Sequence, residues 1–380
     1  MPPTALASDH PLNTVTGASR LVRAYRGDRP AVTPVWFMRQ AGRSLPEYRA
    51  LRVGTHMLDA CLDPAMASEI TLQPVRRHGV DAAIFFSDIV VPLRLAGVDV
   101  RIESGVGPVF GTVRDTPDAV ERLIAEHPAE ALEETLQPVR EGVAATIAGL
   151  REIGDGGTPL IGFAGAPFTL AAYLVAGRPS KDHAAARALI HRHPEAWQRL
   201  MGWCAEISGR FVRAQALAGA SAVQVFDSWA GSLPAATYRE HVAPATAATF
   251  EHVRDLVDDR GSHVPLVHFA VGAAELYADM NVGVDAIGVD WRTPLDVALS
   301  RMRGSVTVQG NLDPALLGAP WPMLAAAIDQ VLAEGQAARA HVFNLGHGVP
   351  PDADPQVLTR IVAHVHEASA ALATSPNTPV

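Results

Sequence analysis

The chain has 380 residues, 48% hydrophobic and 19% charged, which is enough apolar material for a sizeable core and too much for a disordered chain. Its formal net charge of −9 argues against a general nucleic-acid binder, which needs a basic face. Cys61 and Cys204 are the only cysteines, and no run of about 18 uninterrupted apolar residues occurs, so neither a disulfide framework nor a membrane-spanning helix is expected.

Residues 1–15 carry Pro, Ser and Asn, and they lack the basic-then-apolar layout of a secretory signal. They are expected to be a flexible N-terminal segment on a protein of the cytoplasm. The first apolar run, 34–38, is followed at once by Arg39, Arg43, Arg49 and Arg52. A guanidinium is always charged and grips carboxylates through a planar fork. One arginine there could simply pair with Glu47; four behind one apolar run suggest a pocket for a polyanion. Further apolar runs follow at 82–86, 159–163, 222–226, 265–269, 285–289, 306–309 and 341–345. The eight runs are short, rich in Val, Ile and Phe, and poorly alternating, as strands buried on both faces should be.

The segments between them are Ala-, Leu-, Arg- and Glu-rich, the longest at 187–218 and 234–259. Several open on helix-start signals, among them Asp63-Pro64, Thr116-Pro117, His193-Pro194, Thr293-Pro294 and Asp354-Pro355. Eight strand-like runs alternating with helices predict an α/β fold, a (β/α)8 TIM barrel forming one domain over 16–370. A doubly wound open sheet is the rival, but no glycine-rich dinucleotide loop follows the first run. Residues 97–114 alternate and contain glycines, which predicts a hairpin inserted after the second strand. Residues 371–380 read as a flexible tail.

A barrel carries its chemistry at the C-terminal ends of its strands. The residues there are Arg39, Gln40 and Arg43; Ser87-Asp88; Ala164 to Thr169, with Tyr173 further on; Asp227-Ser228-Trp229; Asp290-Trp291; Gly310 to Asp313; and Asn344 to Gly348 around His347. Asp88 reads equally as a helix cap and as a catalytic group. Tyr173, at helical spacing from Thr169, reads first as core, and Ser228 could cap the next helix. Gly42 and Gly165 could serve only to allow tight turns. His347, with a glycine on each side, is harder to explain by packing. His268, inside an apolar run, reads as a buried, hydrogen-bonded histidine rather than a metal ligand. Any Schiff-base chemistry would fall to Lys181, the only lysine, in a polar stretch that reads as a solvated helix start. No zinc-ligand spacing, nucleophile elbow or Walker loop is present.

The stretch Pro34-Val35-Trp36-Phe37-Met38-Arg39-Gln40-Ala41-Gly42-Arg43, continuing to Leu45-Pro46-Glu47-Tyr48, resembles the first signature of the uroporphyrinogen decarboxylase family. Gly162 to Thr169, with Leu170 and Tyr173, resembles the second. Phe86-Ser87-Asp88-Ile89, Phe226-Asp227-Ser228-Trp229, Gln309-Gly310-Asn311-Leu312-Asp313-Pro314 and Asn344-Leu345-Gly346-His347-Gly348 match in the family's order. Relatives often carry a lysine just after the fifth strand, where this chain has Phe269-Ala270-Val271. That position is not among the site residues.

The resemblance implies a (β/α)8 barrel, usually a homodimer. It implies a cofactor-independent carboxy-lyase of haem and porphyrin biosynthesis, which converts the four acetates of uroporphyrinogen III to methyls, giving coproporphyrinogen III and carbon dioxide. Carried onto this sequence, the substrate-binding positions are Arg39, Gln40, Ala41, Gly42, Arg43, Arg52, Asp88, Tyr173, Ser228 and His347. With no cofactor, the carbanion left by decarboxylation needs the substrate's own pyrrole ring, protonated on carbon, as electron sink. Asp88 is expected to stabilise that cation, Arg39, Arg43 and Arg52 to hold carboxylates, and His347 to be a candidate proton donor beside an arginine relay or water. Two other readings stand beside this one. A methyltransferase of the same superfamily would need a zinc-binding His-x-Cys where this chain has His268-Phe269-Ala270. A non-enzymatic porphyrin carrier would bind without releasing carbon dioxide.

Overall fold

The computed structural model describes residues 2–374. Seven strands form one parallel sheet in the order His341–Val342, Thr307–Gln309, Ala286–Gly288, Leu266–Ala270, Ala222–Asp227, Leu160–Gly165 and Ala83–Ile84. Each lies within one of the apolar runs or overlaps it, and helices cover the connections. The fold is α/β, and the sheet curls strongly. Gln309 Nε2 donates to Gln224 Oε1 at 3.0 Å, although two strands separate theirs in the sheet order. Two side chains can meet across two intervening strands only if the sheet bends round on itself, which fits a barrel.

The first run, 34–38, differs from the expected strand. Only Val35 pairs in the β manner, in an isolated parallel bridge with Phe343. The Phe343 N–H donates to Pro34 O at 2.8 Å, and on the other side the Asp81 N–H donates to Val35 O at 2.8 Å. Pro34 has no N–H to offer a ladder, and the Val35 N–H is taken by the Asp81 carboxylate at 2.8 Å. The run therefore spans the gap between the two edge strands without being a full strand itself.

Two long helical stretches are each broken in two. Residues 187–218 fall in Ala184–Arg192 and Pro194–Leu217, and residues 234–259 in Ala235–His241 and Ala243–Arg254. Proline drives its preceding residue out of helical geometry, and His193 before Pro194 has ψ +65°. Val100–Glu103 pairs antiparallel with Gly107–Phe110, and the Phe110 N–H donates to Gly177 O at 2.9 Å, at the end of helix Pro167–Ala176.

The N-terminal segment is not loose. Thr4–Ala5 pairs in parallel with Leu256–Val257, Leu6 and Leu12 are buried, and the His10 Nε2 bonds to Ala216 O at 2.9 Å. Two leucines and a histidine that finds a carbonyl outweigh the polar composition of 1–15. At the other end, helix Pro355–Thr374 runs through residues 371–374 of the expected tail; residues 375–380 lie outside the described residues.

Inside the curl the packing is partly polar. The Tyr25 hydroxyl, from helix Arg20–Tyr25, donates to Gln309 Oε1, as does Trp36 Nε1 at 3.2 Å. These three side chains and Gln224 are almost wholly buried. Such a ring is stabilising only while every member stays paired. Gln309→Ala removes the acceptor of the Tyr25 O–H, which still accepts from Trp36 Nε1, and the donor to Gln224 Oε1. It should cost about 2–4 kcal/mol in urea unfolding, towards the lower end of roughly 1–3 for each lost partner. A loss below about 1 kcal/mol would show that the ring does not hold the interior together.

Candidate active site

The turn after the first run is fixed from three sides. The Val349 N–H donates to Met38 O at 2.8 Å, and Asn344 Oδ1 accepts from the Met38 N–H at 3.1 Å. Gln40 Oε1 accepts from the Phe37 N–H, and Gln40 Nε2 donates to Ala82 O, both at 3.0 Å. Held in this way, Arg39 takes φ +60°, a left-handed conformation uncommon outside glycine. Gly348 makes room for it, because a Cβ there would collide with the Arg39 Cδ. The result is an exposed guanidinium at the end of the sheet where the strands finish.

Three of the residues carried over from the resemblance respond to that charge. Burial pushes the Asp88 carboxyl above the usual carboxylate range, while the Val90 N–H, donated to Asp88 Oδ1 at 3.0 Å, and the Arg39 charge oppose the rise. Burial, and then the Asp88 charge, push the Tyr173 phenol up to about 12, again against Arg39. Burial lowers the His347 imidazole, and Arg39 and then Arg292 lower it further against Asp290. Asp88 keeps some access to solvent even so. It makes an Asx turn onto Val90 rather than capping helix Val91–Leu95, whose N-cap is Val90.

The other arginines divide. Arg49 donates to Arg43 O and to Ser44 O, so it fastens the turn from behind. Arg43 is exposed. Arg52 lies 5.7 Å over the Tyr48 ring and donates to Thr55 O at 3.0 Å and to Met57 Sδ at 3.2 Å. The Asp88 and Arg52 charges both act on the buried Cys61 thiol, in opposite senses. Ala41 and Gly42 continue the turn, and Gly42 O accepts from the Leu45 N–H at 3.0 Å. Gln40 is fully buried with both side-chain groups used inside the fold. Its side chain places Arg39 rather than facing the opening.

Tyr173 is on helix Pro167–Ala176 with its ring 5.8 Å from Trp229 and 6.3 Å from Phe110. Ser228 is half-buried beside it in the chain order Asp227-Ser228-Trp229. Behind Ser228 is a layer whose role the sequence alone does not disclose. Thr169 Oγ1 donates to Asp227 Oδ1 at 2.9 Å and accepts from the Trp229 N–H at 3.3 Å, so one hydroxyl ties both neighbours of Ser228. Asp227 Oδ2 sits 4.0 Å from His268 Nε2, and both residues are fully buried. His268 Nδ1 bonds to Met280 O at 3.0 Å, in keeping with a structural histidine. Thr169 and Asp227 belong to the motifs already singled out; their burial is what the linear pattern hides. Among the described residues, no three His, Cys, Asp or Glu side chains converge as a metal site.

The profile of the family described as Uroporphyrinogen decarboxylase (URO-D) matches residues 16–368. A uroporphyrinogen decarboxylase from Leifsonia xyli subsp. xyli is 62% identical over 375 residues, covering 96% of this chain and 98% of its own. One from Arthrobacter sp. (strain FB24) is 56% identical over 355 residues, covering 93% and 98%. Among solved structures, a methyltransferase from Methanosarcina mazei superposes with a TM-score of 0.73 over 92% of this chain and 97% of its own. At 16% identity that likeness speaks to the fold alone. The chain belongs to the uroporphyrinogen decarboxylase family.

The buried Asp227–His268 pair makes a sign-definite prediction. Burial pushes Asp227 up to about 7 and His268 down to about 4. A carboxyl raised on folding makes stability fall as pH rises through that window, and a lowered histidine makes it rise, so the two largely offset. Asp227→Asn removes the first contribution and keeps the second. Relative to the wild type, its unfolding free energy should climb with pH between about 3.8 and 7, the ordinary and folded values of the carboxyl that is removed. Denaturant unfolding at stepped pH reads this directly; parallel pH profiles for the two proteins would dismiss the pair as a titrating unit.

Proposed function

We propose that this member of the uroporphyrinogen decarboxylase family is a carboxy-lyase that decarboxylates uroporphyrinogen in porphyrin biosynthesis, without a cofactor, at the opening ringed by Arg39, Asp88, Tyr173 and His347. The supporting observation is that the Arg39 charge acts on Asp88, Tyr173 and His347 alike. A cation, a desolvated carboxylate, a phenol and an imidazole therefore share one opening at the strand ends, as a polycarboxylate substrate with a reacting ring requires.

In the reaction we assign, each of the four acetates of uroporphyrinogen III becomes a methyl, giving coproporphyrinogen III and four carbon dioxide molecules. Protonation of a pyrrole ring carbon makes the ring cationic. The C–C bond to the carboxylate then breaks, its electron pair flows into the ring, and carbon dioxide leaves. A proton joins the exposed methylene, and the ring carbon returns its own, so one proton is consumed per acetate. Asp88, acceptor-only when ionised, takes hydrogen bonds from the pyrrole N–H groups and stabilises the developing cation. Arg39, Arg43 and Arg52 grip substrate carboxylates through charge-assisted bonds, and Tyr173 and Ser228 complete the rim. His347 is the proposed proton donor. A lowered pKa makes its protonated form scarcer at neutral pH but a stronger acid, and the two effects trade against each other in general-acid catalysis.

The same reading takes 34–38 as the eighth stave of a single (β/α)8 barrel spanning 16–370, with 97–114 as an insertion after the second strand. It describes a homodimer in the cytoplasm that binds neither nucleic acid nor membrane. The buried free thiols of Cys61 and Cys204 suit a reducing compartment. Among the described residues, no helix is long and apolar enough to cross a membrane.

Asp88→Asn keeps the shape of the site and removes the charge. Incubation with enzymatically generated uroporphyrinogen, followed by porphyrin chromatography, should show turnover down by roughly 10², the scale of an electrostatic group lost from a site. Near-wild-type turnover would sink the role given to Asp88. Arg39→Met withdraws a positive neighbour from both Asp88 and His347, so both pKa values rise. The pH profile of its residual turnover should move to higher pH; an unmoved profile, or one moved to lower pH, contradicts the shared field. Turnover by wild type should survive exhaustive dialysis against chelator, and its loss would overturn cofactor independence.

A further inference from the structure

We propose that Arg292 is a further substrate-binding residue, a cation that takes a propionate carboxylate of the tetrapyrrole beside His347. The inference rests on the site proposed above. Arg292 follows the strand-end pair Asp290-Trp291, and three contacts hold it. Its guanidinium carbon lies 3.8 Å over the Trp291 ring, its Nη1 donates to Asp290 Oδ2 at 2.9 Å, and its own N–H donates to Asp290 Oδ1 at 3.0 Å. Asp290 is fully buried and is itself anchored, since its Oδ2 also accepts from the Gly272 N–H and its carbonyl accepts from Asn311 Nδ2 at 2.8 Å.

A bland account makes Arg292 only the counter-charge of Asp290. Against that, the Arg292 side chain is 51% exposed, and among the described residues no protein acceptor meets its Nε or Nη2. A guanidinium laid flat on an indole keeps its edge free for a carboxylate. The buried aspartate fixes the fork at one corner and leaves the rest presented.

The glycines around His347 place that fork beside the opening. A Cβ at Gly346 would collide with the Trp291 backbone, and one at Gly348 would collide with Arg39. His347 is thus clasped between the Arg39 turn and the Trp291–Arg292 turn, and its ring meets Trp291 edge-to-face at 5.6 Å. Both arginine charges act on His347, but of the two only that of Arg39 acts on Asp88. Arg292 and Arg39 thus belong to the two turns packed on the two glycines that flank His347. Every acetate must in turn reach the reacting position and is lost there, so the carboxylates that can sit on a fixed rim cation at every step are the propionates.

Propionates persist through every step, whereas acetates disappear, and this separates the outcomes. Arg292→Met keeps the apolar stem on Trp291, and Arg292→Lys keeps the charge without the fork. KM and kcat are measured for uroporphyrinogen and for the pentacarboxylate porphyrinogen that carries a single remaining acetate. Arg292→Met should raise KM roughly ten-fold for both, the low end for a charge-assisted bond at a half-exposed site. Its kcat should fall by less than KM rises, and Arg292→Lys should recover part of the loss. An unchanged KM, or a rise confined to uroporphyrinogen, overturns the assignment. Should the methionine variant fail to fold, Arg292→Gln, which removes the charge and keeps a polar stem, overturns it equally if its KM is wild-type for both substrates. Arg39→Met, measured alongside, separates the two claims. If it too is silent, the site itself is misplaced; if only Arg292→Met is silent, this inference alone fails.

Discussion

Burial drives Asp88 towards its neutral form, and the Val90 N–H and one guanidinium stand against it. That opposition organises the rest of the opening. A carboxylate in water would be ionised without help and would stabilise a cation weakly, because solvent screens it. A carboxylate desolvated with no partner would protonate and lose its charge. The Val90 N–H and Arg39 both work against that loss at Asp88. Much of the local architecture can be understood as what it takes to hold Arg39 there.

The holding is distributed over elements far apart in sequence. The left-handed Arg39 backbone is supported by Gln40, reaching to Ala82, and by Asn344, reaching to Met38. Gly348 clears space for the Arg39 side chain and thereby sets His347 beside it. Arg49 ties the far end of the same turn. On the opposite side, Thr169 binds Asp227 and Trp229 and so fixes the two neighbours of Ser228. The glycines at 346 and 348 are steric requirements of two turns that approach one histidine from either side.

Much of this was legible in the chain itself. Apolar runs bounded by turn residues mark strand ends, and polar residues gathered there mark the opening. Hence Asp88, Ser228 and His347 could be singled out before any contact was known, and the family resemblance added Tyr173. Other features were illegible because they depend on three-dimensional partners. Four arginines after one run look equivalent in sequence, yet Arg49 faces backbone carbonyls and Arg39 the opening, a difference set by one reversed φ. Gln40 sits within the motif but spends its side chain on the fold. The segment 1–15 looks loose because two buried leucines carry little weight among polar neighbours. Arg292 stands one residue beyond a pair already noted, and only the three-dimensional structure reveals its stacking on Trp291.

The central claim is that Asp88 is desolvated and that Arg39 opposes the effect. Isotope-edited infrared spectroscopy of the Asp88 carboxyl across a pH titration, in wild type and in Arg39→Met, tests it with no substrate present. The account predicts a midpoint above the ordinary aspartate range in the wild type and a higher one in the variant. A midpoint at or below the ordinary range, or one that does not change when Arg39 is replaced, would contradict it.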